Sequence, residues 1–523
     1  MNVIWIVVGA VGLILGYALQ MARWLRALQR EHYQGTSMFR FWRRWSWPSF
    51  RSLTFATLWR SGTLVLSFLL WCSLPVALVV AIEAHAPAIF VIDAIIYGVV
   101  CPWELTPRGR TSKLQWTRRL GTVALLGLVI SVVFVVLGLL AHAELLVGAL
   151  MVWMTPFTLA AAAGLLAPYE AHRAANFVDT ARQRLARVHP VVVAITGSYG
   201  KTSTKNHLAD LLSADGGVVA TPKSFNNRAG LSRAINENLD EGTRVFVAEM
   251  GTYGPGEIRN LCAWCTPDIA VVTAIGPVHL ERMKTLDIIE QAKFEITERA
   301  PVIIVNIDDP RLALWPARLR DRRVRTAGSR ATSADVRVVP EGARWRVVVD
   351  AEDVATMDPV VGVQPTNVAC AIAAALEVGA LPSELERRLS NVRAVANRAT
   401  VATAASGVVV VDDTFNANPA SARASLSVLD EVSRGARRVV VTPGLIELGQ
   451  RQGPENEELA REVHRRGMEL VIVGRTNSAA LLEGYGPQAR RFKVRDDAVA
   501  WVRESLRAGD AVLYLNDLPD HYP

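Results

Sequence analysis

An N-terminal multi-span α-helical membrane domain followed by α/β domains, the first of them built on a phosphate loop, is the fold class this sequence predicts. Three observations carry it. The chain has 523 residues, 51% of them hydrophobic, and the apolar excess is concentrated before residue 170. Beyond residue 190, β-branched runs alternate with helix-period segments of mixed charge, the pattern of a doubly wound sheet. Between the two lies V-V-V-A-I-T-G-S-Y-G-K-T-S-T-K, from Val191 to Lys205, where a strand-like run breaks into a glycine turn.

Val3 to Met21 is apolar and long enough to cross a bilayer, since about 20 helical residues match a hydrocarbon core of roughly 30 Å. The arginines follow this run rather than precede it, from Arg23 to Arg60, so it reads as a retained span and not a cleaved signal. Further spans are expected at Thr63 to Ile82, Ala86 to Trp103, Gly121 to His142 and Leu145 to Ala167. The third carries Asp93, read either as a functional intramembrane carboxylate or as a group near water in a tilted segment. Residues 1–168 are thus expected to form a five-span domain, and 169–189 an amphipathic linker with Phe177, Ala181, Leu185 and Val188 at helical spacing. Arginine-rich stretches flank one side of the spans, which predicts an integral plasma-membrane protein with its N-terminus outside and everything after residue 168 in the cytoplasm.

The formal charge is +8, but the basic residues near the N-terminus lie between apolar segments, which fits a lipid bilayer partner and excludes nucleic acid. The five cysteines are too scattered for a disulfide framework, and Cys262 and Cys265, a lone C-A-W-C pair, read as core packing rather than zinc ligands.

In the turn after Val191, Gly197 and Gly200 let backbone N–H groups approach phosphate oxygens, Lys201 supplies a point charge, and the Thr202 hydroxyl can reach a Mg²⁺ ion. The pattern is T-G-x-x-G-K-T, with Ile195 where the general phosphate loop has its first glycine. A helix from about Ser203 to Leu212 and a short strand, Gly217 to Ala220, lead to F-N-N-R-A-G, whose Asn226 and Asn227 suit contacts to phosphate or an acceptor. Arg244 to Met250 is a buried strand ending in Glu249, where a Mg²⁺-binding carboxylate belongs. Ile269 to Ala274 is the next strand and places His279 just beyond it as a second metal-ligand candidate. After the helix containing Lys293, P-V-I-I-V-N-I-D-D-P gives a fifth strand with Asn306 at its end.

Taken in order, T-G-S-Y-G-K-T-S-T-K, F-N-N-R-A-G, A-E-M-G, G-E-I, Q-A-K-F-E-I, V-N-I-D-D, V-D-D-T-F-N-A-N-P-A-S at 411 to 421 and I-E-L-G at 446 to 449 resemble the Mur ligases over about residues 190 to 500. The resemblance implies a P-loop Mur ligase central domain over 190–399 and a Rossmann-like C-terminal domain over 400–523. It implies ATP and Mg²⁺ as cofactors, with Gly197, Ser198, Gly200, Lys201, Thr202 and Ser203 around the phosphates and Thr202, Glu249, His279 and an N-carboxylated Lys293 at the metals. It further implies Arg398 near the domain hinge approaching the nucleotide, Asn306 on the base side, and Asp413, Asn416 and Asn418 in a loop closing on nucleotide and incoming amine. Lys201, Lys293, His279 and Arg398 are the implied catalytic set.

The activity so implied is ATP-dependent amide formation through an acyl phosphate, adding an amino acid or dipeptide to a cell-envelope precursor. The five-span segment stands where the soluble ligases carry a sugar-nucleotide domain, Gln364 replaces a usual histidine, and the chain ends L-N-D-L-P-D-H-Y-P. These departures resemble a membrane-anchored subgroup and point to a lipid-linked precursor as partner. A polyglutamate-type peptide synthetase and a nucleotide-driven transporter or flippase are the alternative readings.

Overall fold

The computed structural model describes residues 3–31, 33, 35, 38, 39, 42, 77, 87–101, 105, 114–222, 225–395, 399–414, 417–433 and 437–516. Two compact units divide the chain, Met1–Arg173 and Ala174–Asp517.

Three helices are long and apolar enough to cross a membrane: Ile6–Arg30 with 25 residues and Arg118–Leu140 with 23 in the first unit, and Glu144–Val188 with 45, which begins in the first unit and ends in the second. Their outer surfaces are apolar: Val7, Val11, Ile14 and Leu15 on the first and Leu125, Val129, Val133, Val136 and Leu140 on the second are exposed, as lipid-facing positions would be. The expected span Thr63 to Ile82 lies outside the described residues, Ala77 apart. Within the expected span Ala86 to Trp103 the described helix is Pro87–Val100, 14 residues and about 21 Å long, and residues 86 and 102–104 lie outside the described residues. Pro87 opens it, and its C-terminal carbonyls are taken up by the Ile6–Arg30 helix. Arg23 Nη1 donates to Gly98 O at 2.8 Å, Arg23 Nη2 to Val99 O at 2.6 Å, and Gln20 Nε2 to Tyr97 O at 3.3 Å.

No break separates the fifth expected span from the linker, because Glu144–Val188 is one helix with Pro156 and Pro168 inside it. Val178 and Ala181 are buried, and Arg184 Nη1 donates to Asn236 O at 2.6 Å and Leu239 O at 3.1 Å, capping the helix Arg228–Asn238.

The second unit holds two sheets. The first contains β1 (Val191–Thr196), β2 (Val218–Ala220), β3 (Val245–Glu249), β4 (Ile269–Val272), β5 (Val302–Asn306), β6 (Arg323–Gly328), β7 (Val336–Glu341), β8 (Arg344–Val349) and β9 (Glu352–Met357), in the order β2-β3-β1-β4-β5-β6-β7-β8-β9. The strands from β2 to β7 run parallel, and the strand order reverses between β1 and β4. Period-2 alternation is legible in the packing. Val193, Ile195, Val245, Val247, Val271 and Ile304 face one core with helix Pro365–Glu377, while Val192, Ala194, Phe246, Ala248, Val272 and Ile303 face another. The β7–β9 meander extends this sheet antiparallel and was not among the expected elements.

The second sheet contains β10 (Thr400–Thr403), β11 (Val409–Asp413), β12 (Arg438–Thr442), β13 (Glu469–Val473), β14 (Arg490–Phe492) and β15 (Ala511–Leu515), ordered β10-β11-β15-β12-β13-β14. All pairs are parallel except β10 with β11, which gives the Rossmann-like form expected.

Cys262 and Cys265 are buried in the core, and Cys262 Sγ lies 3.7 Å from Met250 Sδ. Burial pushes the Cys262 thiol up to about 12, which suits a packed thiol rather than a reactive one.

His207, on the helix Lys201–Leu212, is 1% exposed, and neither ring nitrogen has a hydrogen-bond partner among the described residues. Burial pushes it from 6.5 down to about 4. Between those values the unfolded chain binds the proton and the folded chain does not, so stability falls as pH drops through the window, by about 3 kcal/mol in full. Thermal unfolding from pH 7 to pH 4 should therefore show a smaller acid-induced drop in Tm for His207→Leu than for the parent chain.

Candidate functional site

The turn between β1 and the helix Lys201–Leu212 sits beside the point where strand order reverses, the crevice in which open α/β sheets bind ligands. Gly200 caps this helix with φ 79°, and a Cβ there would meet Asn367 Oδ1 at 2.4 Å, so both backbone and space require glycine. Gly200 offers no side-chain cap, which leaves the first-turn N–H groups for an anion. The loop is tied to the end of β4. Ser198 N–H donates to Ala274 O at 2.7 Å, and Ser198 Oγ accepts from Gly276 N–H at 2.9 Å. Lys201 Nζ donates to Gly197 O at 2.7 Å. Ser203 is half-buried in the first helical turn.

Glu249, 1% exposed at the end of β3, gathers three of these elements. Thr202 Oγ1 donates to its Oε2 at 2.9 Å, Asn226 Nδ2 to its Oε1 at 3.0 Å, and Lys205 Nζ lies 3.6 Å from Oε2. Lys205 was not a sequence candidate, yet it is 2% exposed and donates to Thr221 O at 2.7 Å. Burial pushes its amine down, and Glu249 opposes that shift. The K-T-S-T-K spacing held the signal: Lys205 lies one helical turn beyond Lys201. The Thr202 hydroxyl and Glu249 carboxylate are hard oxygen donors 2.9 Å apart, a pair that fits a Mg²⁺ ion completed by water and phosphate.

Lys293 ends up 2% exposed near the C-terminus of helix Leu286–Phe294, with no hydrogen bond or ion pair among the described residues. Burial, aided by the charge of Lys201, holds its amine well below the usual lysine range. His279 stands just before the short helix Leu280–Met283, with Nδ1 at 2.5 Å from Glu447 Oε2 and its ring edge-on to Tyr253 at 4.7 Å. Among the described residues no three His, Cys, Asp or Glu side chains gather into one cage.

The other described candidates bond to neighbouring backbone or side-chain groups. Asn227 caps the helix Arg228–Asn238, accepting from Gly230 N–H at 2.9 Å. Asn306 Nδ2 donates to Thr273 O at 2.7 Å and its Oδ1 accepts from Asp308 N–H at 2.9 Å, bracketing β4 and β5. Asp413, 1% exposed at the end of β11, accepts from Ser425 Oγ at 2.7 Å. Asn418 Oδ1 accepts from Ala420 N–H and Ser421 N–H, both at 3.0 Å, at the start of helix Pro419–Ser433. Arg398 and Asn416 lie outside the described residues. Missed by the sequence reading was Glu295, whose carboxylate accepts from Gly256 N–H at 2.6 Å and Arg259 N–H at 3.0 Å, so that the motifs G-E-I and K-F-E-I interlock.

Fold and site together define a phosphate-loop α/β enzyme with a second, Rossmann-like sheet. Residues 195–376 match the Mur ligase middle domain and 397–515 the Mur ligase glutamate ligase domain. UDP-N-acetylmuramoyl-tripeptide–D-alanyl-D-alanine ligase of Mycobacterium tuberculosis is 34% identical over 357 residues, covering 62% of this chain and 69% of the relative. MurF from Acinetobacter baumannii superimposes with a TM-score of 0.57 at 25% identity, over 66% of this chain and 77% of that one. Thermotoga maritima MurF in complex with ADP shares the fold with a TM-score of 0.56 at 24% identity, over 66% of this chain and 80% of that one. The chain belongs to the Mur ligase family and is an ATP-dependent ligase.

Proposed function

We propose that this chain is a membrane-embedded, ATP- and Mg²⁺-dependent amide ligase that adds an amino acid or dipeptide to a peptidoglycan-type, lipid-linked envelope precursor on the cytoplasmic face of the plasma membrane. The observation that carries the chemistry is the cluster of Thr202, Asn226 and Lys205 on the buried carboxylate of Glu249 beside the phosphate loop. Similarity to ligases whose name specifies a muramoyl-tripeptide and D-alanyl-D-alanine supports the substrate class. Three membrane-length apolar helices on the same chain support the membrane setting and the lipid-linked form.

In this reading the loop N–H groups and Lys201 hold the ATP phosphates, and a substrate carboxylate attacks the γ-phosphorus, releasing ADP and leaving an acyl phosphate. The amine then attacks the acyl carbon, expelling inorganic phosphate and losing a proton. Catalysis is positioning plus charge neutralisation, which suits a site of fixed cations and N–H donors without a nucleophilic triad. Thr202 and Glu249 would hold Mg²⁺, which neutralises phosphate charge, and His279 and an N-carboxylated Lys293 are the further proposed ligands. Arg398, Asn306, Asp413, Asn416 and Asn418 are proposed to face the nucleotide and the amine.

The test is ATP turnover by the purified full chain in detergent with precursor and amine supplied separately and together. Turnover should require both, and a lipid-linked muramoyl-peptide should be used in preference to its soluble UDP form. Amine-independent hydrolysis would support a nucleotide-driven transporter instead, and equal use of both precursor forms would remove the lipid-linked assignment.

A further inference from the structure

The loop after β12, residues 443–449, reaches from the second sheet to the turn that carries His279. A buried set of amides holds it. Asn456, 0% exposed, accepts from Leu445 N–H at 2.7 Å and donates to Leu445 O at 2.8 Å. Asn477 Nδ2 donates to Pro443 O at 2.9 Å, and Asn516 Nδ2 to Gly444 O at 2.8 Å. At the far end, a Cβ on Gly449 would stand 3.3 Å from Leu280 C and O, so the loop lies directly on the backbone after His279.

Glu447 is presented at this contact. Its Oε2 is 2.5 Å from His279 Nδ1, and its backbone O accepts from Glu281 N–H at 3.3 Å. Both partners have left-handed backbones, His279 at φ 53° and Glu447 at φ 62°, which non-glycine residues adopt only where the surroundings impose it. On its other side the imidazole meets Tyr253, whose ring carries Arg282 at 4.6 Å from its centroid. The ring is therefore gripped by an aromatic edge from the first sheet and a carboxylate from the second.

We infer that Glu447 is a positioning residue for His279: its carboxylate accepts a hydrogen bond from the Nδ1 side of the ring, which fixes the ring's orientation and presents Nε2 as the ligating nitrogen. The histidine is thus set for a divalent cation only when the two sheets meet. This rests on the reading of His279 as a metal ligand, and the amide set around Asn456 is what makes Glu447 rigid enough to do it.

The experiment is a Mn²⁺ titration of the full-length protein in detergent with ADP present, with free Mn²⁺ followed by electron paramagnetic resonance. E447Q and E447A should each weaken Mn²⁺ binding by about 10- to 100-fold. H279A should weaken it too, and E447A combined with H279A should be no weaker than H279A alone, because both act through one nitrogen. E447Q keeps the side-chain shape, and an unchanged unfolding midpoint ties its loss to orientation rather than to folding. Parental binding in E447Q and E447A alongside weakened binding in H279A, or fully additive losses, would overturn the inference while leaving His279 a ligand. Parental binding in H279A would instead overturn the metal reading beneath it.

Discussion

Lys201→Ala is expected to lower ATP turnover by about 10²- to 10³-fold, the usual cost of removing one preorganised donor aimed at developing charge. The geometry explains the size. Lys201 begins the helix Lys201–Leu212, and its ammonium is folded onto the carbonyl of Gly197 at 2.7 Å, the edge of the turn in which phosphate is proposed to sit. The packing of β1 against the helix is made by Val193, Ile195, Leu208, Leu211 and Leu212. Expression, membrane insertion and the unfolding midpoint should accordingly match the parent, with the loss confined to turnover and to nucleotide affinity. Unchanged turnover in a folded Lys201→Ala protein would remove the phosphate-loop assignment. Lys201→Arg should recover little, since a planar guanidinium does not reproduce a compact ammonium beneath a tight turn.

Much of this site was legible because each residue sits where a strand ends. Runs such as V-V-V-A-I-T and R-V-F-V-A-E-M announce buried parallel strands, and Gly197 just after the first and Glu249 at the end of the second stand at the edge of the sheet where ligand sites of open α/β folds are expected. Lys205 and Glu447 were harder to see. Lys205 looks like a solvated helix lysine until β3 brings Glu249 beneath it, and Glu447 meets His279 from 168 positions away in sequence. Periodicity carries no information about such long-range pairs. The helix Pro87–Val100 shows another contact that pattern does not announce. Its composition suggests a span, but the guanidinium of Arg23 and the amide of Gln20 hold its end. The asparagines were identified as binding residues, whereas Asn227 and Asn418 are seen bonding to helix starts, which asparagine does on any fold.

Lys293→Met is expected to abolish a carbamate signal and to lower ligase turnover by at least about 10²-fold. A lysine that is 2% exposed, with the charge of Lys201 acting against its own, cannot keep its proton at ordinary cost. Its amine is therefore pushed well below the usual range, toward the neutral form that attacks CO₂. The product, R–NH–COO⁻ with release of one proton, would turn a would-be cation into an anion beside Lys201 and would supply the oxygen donors a Mg²⁺ site requires. The pH dependence follows in sign. In the uncarboxylated protein the unfolded lysine binds its proton up to 10.5 while the folded one has already lost it, so stability rises with pH across that window. Carbamate formation falls as pH drops below the lowered value, because the ammonium has no lone pair to offer. Protein prepared with ¹³C-bicarbonate should show a carbamate carbonyl resonance that Lys293→Met lacks, and CO₂-depleted buffer should slow turnover reversibly. A parent chain without that resonance, and indifferent to CO₂, would leave Lys293 a plain buried amine and exclude it from the metal site.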